Sequence, residues 1–180
     1  MNFRCRPSFF SLLAFILLFV SSCDRTGFKR GIRQMLSESV MIPVSLERIQ
    51  ADTIAPCILD ARAKCVLYID STECSSCRIG HLPQYMGVYN LLQDKSTDFL
   101  VIISPKTKER ERVIGQVQTT MEFPVYLDDE SELLTLNPWI PEDFRLHCFL
   151  TDREGRVIFV GDPTWGERTW TLFVRALEKI

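Results

Sequence analysis

The chain has 180 residues, 46% of them hydrophobic, and its 21 basic residues against 23 acidic ones give a formal charge of −2. That balance lacks the basic footprint of a nucleic-acid binder, and the length allows one domain with a sizeable core. Seven cysteines make thiol chemistry the first question the sequence raises.

Residues 1–22 read as an export signal. Arg4 and Arg6 form a basic leader, Phe9 to Val20 a nearly continuous apolar core, and Ser21 and Ser22 precede Cys23. The apolar core falls short of the ~20 residues that span a bilayer. The Val20-Ser21-Ser22-Cys23 ending resembles a bacterial lipobox. The resemblance implies cleavage before Cys23, lipidation of its thiol, and an extracytoplasmic protein tethered to a bacterial membrane and facing the periplasm; an ordinary secretory signal with an incidental cysteine is the alternative. Removing Arg4 and Arg6 leaves 19 basic against 23 acidic residues, about −4. With Cys5 in the signal and Cys23 at the lipid site, Cys57, Cys65, Cys74, Cys77 and Cys148 remain in an oxidising compartment. Five thiols cannot all pair, so one is free or used in exchange.

Residues 23–50 read as a tether and N-terminal extension, and 51–180 as one domain. In the extension Ile32, Met35, Leu36 and Val40 recur at helical spacing, predicting a helix over 29–40 that Pro43 ends. Beyond it strand and helix patterns alternate, as in an α/β layer fold. A strand over 63–70 leads through Asp70-Ser71-Thr72-Glu73 into a helix from Cys74 or Ser75 to about Gln93. Ile79, Leu82, Tyr85, Met86, Tyr89 and Leu92 form its apolar face, and Pro83 kinks it. A strand over 99–104, a helix over 106–121, a strand over 123–127 and a helical turn over 130–136 follow. Strands over 146–151 and 156–160 flank the turn Asp152-Arg153-Glu154-Gly155, and an amphipathic helix from about Gly166 turns Trp170, Phe173, Val174 and Leu177 toward the sheet.

Cys74-Ser75-Ser76-Cys77 therefore sits where a strand runs into a helix. A helix start carries partial positive charge and unpaired N–H groups, which favour a thiolate. The simplest chemistry has Cys74 attacking and Cys77, one helical step deeper, resolving. Arg78 is a candidate aid to the thiolate. Cys65 and Cys148 fall in strands as core residues, and Cys57 falls in a loop.

This order of elements, with the Phe123-Pro124-Val125-Tyr126-Leu127-Asp128 strand and the 149–157 hairpin, resembles the thioredoxin fold and within it the TlpA-like, membrane-anchored extracytoplasmic branch. The resemblance spans residues 51–180. It implies a three-layer α/β sandwich around a central mixed sheet, and a thiol:disulfide oxidoreductase that acts as a reductant. Such a protein needs no cofactor beyond the Cys74–Cys77 disulfide; its partners are protein thiols or disulfides and a membrane electron donor, with the membrane itself reached through Cys23.

The departures are specific. Glu73 stands where such proteins carry Trp, opposing the thiolate. Tyr68 replaces a buried acid, so proton handling falls to other groups, with His147, Glu73 and Asp70 as candidate proton partners or substrate contacts. Leu146 occupies the cis-proline position beside the disulfide, where a cis bond would cost several kcal/mol and a trans peptide is expected. Two other functions stay open: a copper or zinc carrier using Cys74, Cys77 and His147, and a redox-inactive structural module. His147 and Cys148, as strand neighbours, face opposite ways, so only one can approach Cys74.

Overall fold

The computed structural model describes residues 26–180 apart from 59 and 61, so the export signal and Cys23 lie outside the described residues. The chain alternates strand and helix around a seven-stranded mixed sheet ordered β2-β1-β5-β4-β3-β6-β7. Its strands are β1 (Glu47–Gln50), β2 (Thr53–Pro56), β3 (Lys64–Ile69), β4 (Asp98–Ile103), β5 (Val125–Leu127), β6 (Cys148–Thr151) and β7 (Val157–Val160). At the centre, β3, β4 and β5 run parallel and read as unbroken apolar runs because both their faces are covered. β6 joins β3 antiparallel and pairs with β7 in a hairpin. A parallel β-α-β unit, an antiparallel hairpin and a closing helix make the thioredoxin-like sandwich that the sequence implies.

Alternation along β3 divides the core in two. Cys65, Leu67 and Ile69 face one cluster with Ile79, Leu82, Val113 and Phe173, whereas Val66 and Tyr68 face another with Met35, Leu46, Leu133 and Leu146. The first layer holds α2 (Ser75–His81), α3 (Met86–Asp94), α4 (Arg110–Thr120) and α6 (Glu167–Leu177); the second holds α1 (26–35) and α5 (Glu132–Leu136). The kink at Pro83 is a 3-10 turn, Leu82–Tyr85, between α2 and α3.

Three expectations shift. The first helix ends at residue 35, not at 40: the Ser37 hydroxyl donates to the Gln34 carbonyl at 2.7 Å, and the Val40 N–H is used by the Gly155 carbonyl at 2.9 Å, so the segment after Ser37 runs extended beside the β6–β7 turn. Residues 47–56 form a hairpin that the sequence pattern did not reveal, so position 50 ends a strand of the sheet. Trp170 is 36% exposed and meets the core residue Phe173 with tilted rings at 6.1 Å.

Candidate redox site

The apolar run of β3 ends at Ile69, and four polar residues turn the chain into α2. Asp70 organises that turn: its carboxylate accepts the Thr72 N–H at 2.7 Å and its carbonyl accepts the Glu73 N–H at 3.0 Å. Glu73 closes the loop. One carboxylate oxygen accepts the Asp70 N–H at 3.2 Å, and the other lies 3.3 Å from Arg78 Nε. With 14% of the Glu73 side chain and 29% of the Arg78 side chain exposed, this pair is partly shielded from water. It flanks the cysteines on both sides in sequence.

Cys74 caps α2 with extended backbone, and a disulfide joins it to Cys77 across a Cα–Cα distance of 5.3 Å. Both cysteines are exposed. The expected deeper seat for Cys77 is therefore corrected, and helix geometry gives the reason. Ser75, Ile79 and Leu82 point inward at the spacing of one helix face, and Cys77, two residues beyond Ser75, is turned about 200° away from it. α4 steadies the motif from one side, where Gln116 Nε2 donates to the Ser76 carbonyl at 3.1 Å.

The segment before β6 departs from expectation. The Arg145–Leu146 peptide is trans, as the sequence implies. Leu146 is buried in the second core, however, and a Cβ added to Gly31 of α1 would come within 2.6 Å of its Cδ1. The residue at the cis-proline position thus supports the N-terminal helix, and its side chain does not cover the disulfide. His147 follows it to that side. Its ring is 1% exposed, packs edge-on against Tyr68 at 5.6 Å, and places Nε2 2.9 Å from the Pro141 carbonyl. Cys148 takes the opposite face, in the core that holds α2. Cys74, Cys77 and His147 are therefore not brought together, and among the described residues no three His, Cys, Asp or Glu side chains could hold a metal ion. The copper or zinc carrier built on those three loses its geometry.

Cys148 and Cys65 are free and buried, diagonal neighbours on β6 and β3. The Cys65 thiol beside it and burial push the Cys148 thiol well above its ordinary value, so it stays protonated. Cys57 is free and half-buried in the loop after β2, and burial raises its pKa as well. Asp162, which the sequence reading did not single out, is buried where β7 leaves the sheet. The Tyr85 hydroxyl donates to one of its oxygens and the Thr164 N–H to the other, at 2.8 Å for the latter. Burial first, and Asp162 second, raise the Tyr85 phenol far above its usual range, so it acts here as a hydrogen-bond donor. Asp162 thereby ties the 3-10 turn after the redox helix to the far end of the sheet; the Asp-Pro dipeptide opening a turn was its only sequence signal.

No protein-family model and no curated protein matches the chain. Solved structures do resemble it. A thioredoxin-like protein from Porphyromonas gingivalis aligns with 78% of this chain and 92% of its own at 12% identity and a TM-score of 0.49. A candidate thiol:disulfide interchange protein DsbE from Chlorobium tepidum aligns with 65% and 81% at 20% identity and 0.48. A conserved protein from Geobacillus kaustophilus aligns with 72% and 74% at 16% identity and 0.46.

Proposed function

We propose that this protein is a membrane-anchored thiol:disulfide oxidoreductase that reduces disulfides of extracytoplasmic proteins, in the manner of the TlpA-like branch. The observation that carries the reading is the water-exposed Cys74–Cys77 disulfide at a strand-to-helix junction. In the reduced protein the Cys74 thiolate attacks one sulfur of a substrate disulfide, forming a mixed disulfide and releasing a substrate thiolate. The Cys77 thiol then gives its proton to solvent and attacks the Cys74 sulfur. The second substrate thiolate leaves, the Cys74–Cys77 bond closes, and two electrons have passed to the substrate. A membrane dithiol donor reverses the closure by the same exchange. Glu73 and Asp70 spend their oxygens on the loop and on Arg78, which supports a positioning role for them. The lipid on Cys23 keeps the protein beside its electron donor at the membrane, on the periplasmic side.

Trapping tests this reading. Cys77→Ser leaves Cys74 without its resolving partner and should accumulate mixed disulfides with extracytoplasmic proteins, visible as adducts that dithiothreitol removes. Adding Cys74→Ser should abolish them. Absence of adducts on Cys77→Ser, together with a wild-type bridge that survives mild reductant, would leave a structural module instead.

A further inference from the structure

A trough of about 510 Å³ runs between the N-terminal helix, the edge strand β7 and α6. Ile32 and Leu36 form one wall, Val160 contributes to the floor, and Leu172, Arg175 and Lys179 form the other wall. The volume lies within the range of small-molecule and lipid-sized sites. Its apolar walls stand in water: Leu36 is 46% and Leu172 48% exposed.

Charge narrows what fits there. No carboxylate lines the trough, and among the described residues neither Arg175 nor Lys179 is ion-paired. On the first helix, exposed Lys29 and Arg33 neighbour Ile32 at helical spacing, with Leu36 in the turn that follows; Leu172 and Arg175 do the same on α6, and Lys179 sits in the turn just beyond its end. Apolar side chains from both helices and the cations Arg175 and Lys179 thus line one opening, with Lys29 and Arg33 exposed outside its lining, the chemistry of a surface that lies on anionic lipid. The place of the chain end agrees with this. The helix that forms one wall covers the described residues 26–35, and residue 26 is three positions after the proposed lipid site.

We propose that this trough is a lipid-docking surface, seating the phosphate of an anionic phospholipid between Arg175 and Lys179 and its upper acyl carbons against Leu36 and Leu172. The proposal rests on the anchoring reading only for access to the bilayer; the binding itself needs no lipid on Cys23. Anchor and trough then act together, since a single acyl chain holds a protein on a membrane only marginally and a second signal makes the attachment stable. A protein partner carrying an acidic, apolar segment is the rival occupant.

The test uses the unlipidated chain from residue 24 onward, which keeps every element described above, with thermal unfolding of each variant to establish that it is folded. Sedimentation with vesicles of phosphatidylcholine mixed with phosphatidylglycerol should show binding that fades with added salt, and vesicles of phosphatidylcholine alone should show almost none. The Arg175→Glu, Lys179→Glu double variant should lower the partition coefficient by roughly tenfold or more, the order expected for removing two surface cations. Leu36→Asn with Leu172→Asn should also lower it, and Arg112→Glu on α4, outside the trough, should not. Absent binding, equal binding to both vesicle types, or an equal loss with Arg112→Glu would overturn the proposal. So would binding confined to an acidic apolar peptide, which would assign the surface to a protein. Mass spectrometry of the mature amino end decides the anchor separately.

Discussion

At the residue scale, the feature that sets this site apart is the Glu73–Arg78 pair. A guanidinium next to a Cys-x-x-Cys motif would stabilise the attacking thiolate, and a stabler thiolate makes the disulfide more oxidising. Here the carboxylate that precedes the first cysteine holds that guanidinium at 3.3 Å and offsets its charge. Under the proposed role, the pair should bias the couple toward reduction of substrates. Glu73→Gln retains an oxygen to accept the Asp70 N–H but releases Arg78. Its expected effect is a lower thiolate pKa at Cys74 and a reduction potential raised by roughly 10–30 mV, where 30 mV corresponds to ~1.4 kcal/mol and a partly exposed pair contributes less than that. Equilibration with glutathione buffers reads the potential directly. Arg78→Met should lower the potential more in the Glu73→Gln background than in the wild type. An unchanged or lower potential in Glu73→Gln would remove the pair from any control of redox poise.

At the element scale, the turn that carries Leu146 and His147 into β6 depends on one carboxylate. Asp143 accepts the Arg145 N–H at 3.1 Å and pairs with the Arg145 guanidinium at 2.6 Å, while that guanidinium lies 4.9 Å over the Phe28 ring of the first helix. The hydrogen bond from Arg145 holds the Asp143 carboxyl below its usual pKa. A depressed pKa means stability that is present above the unfolded value, near 3.8, and is lost as pH falls through the folded one. Asp143→Asn should therefore cost about 0.5–1 kcal/mol at pH 7, less than a fully buried pair because the group is partly exposed. The difference from wild type should shrink as denaturant titrations fall below the unfolded value and vanish below the folded one. A gap that persists in acid would mean that shape, not charge, holds the turn.

Elements of this kind were legible in the sequence to the degree that they bury a regular pattern. β3 and β4 each bury five consecutive apolar residues, and α4 buries Val113, Ile114 and Val117, so period alone located them. β1 buries only Ile49 and β2 buries nothing fully, which leaves no alternation to detect. The site divides in the same way. Cys-x-x-Cys after an apolar strand announced itself, and the inward face through Ile79 and Leu82, extended back one turn to Ser75, would have shown Cys77 facing out. The opposite facing of His147 and Cys148 holds, but alternation is not its cause: His147 ends the 3-10 turn Phe144–Leu146 and β6 begins only at Cys148, whose pairing with β3 sets the face it takes. Glu73 and Arg78 meet around a loop, at a spacing that belongs to no regular element, so only the fold joins them.

For the whole molecule, the stretch before residue 51 belongs structurally to the sandwich. Met35, Leu46 and Ile49 are fully buried, and β1 is held between β2 and β5. Asn137, itself fully buried, exchanges hydrogen bonds of 2.8 Å with both the N–H and the carbonyl of Met41, and Arg110 on α4 ties Glu47 to Asp129. A chain truncated to start at Ala51 loses these partners together. It bares one face of the sheet, leaves β2 with no neighbour and exposes the edge of β5. Each fully buried aliphatic side chain removed costs about 2–5 kcal/mol, and a domain of this kind has only about 5–15 kcal/mol in total. The truncated protein should therefore be insoluble or lack a cooperative unfolding transition, with an unpaired strand edge open to aggregation. Met35→Ala is the graded counterpart: it should remain folded and lose about 2–4 kcal/mol in urea titrations, with its disulfide exchange intact, because Met35 lies across the sheet from α2. A soluble chain from Ala51 with a wild-type transition midpoint would show that the second core contributes little, and the trough between the first helix and α6 would then be the remaining reason for that helix to pack where it does.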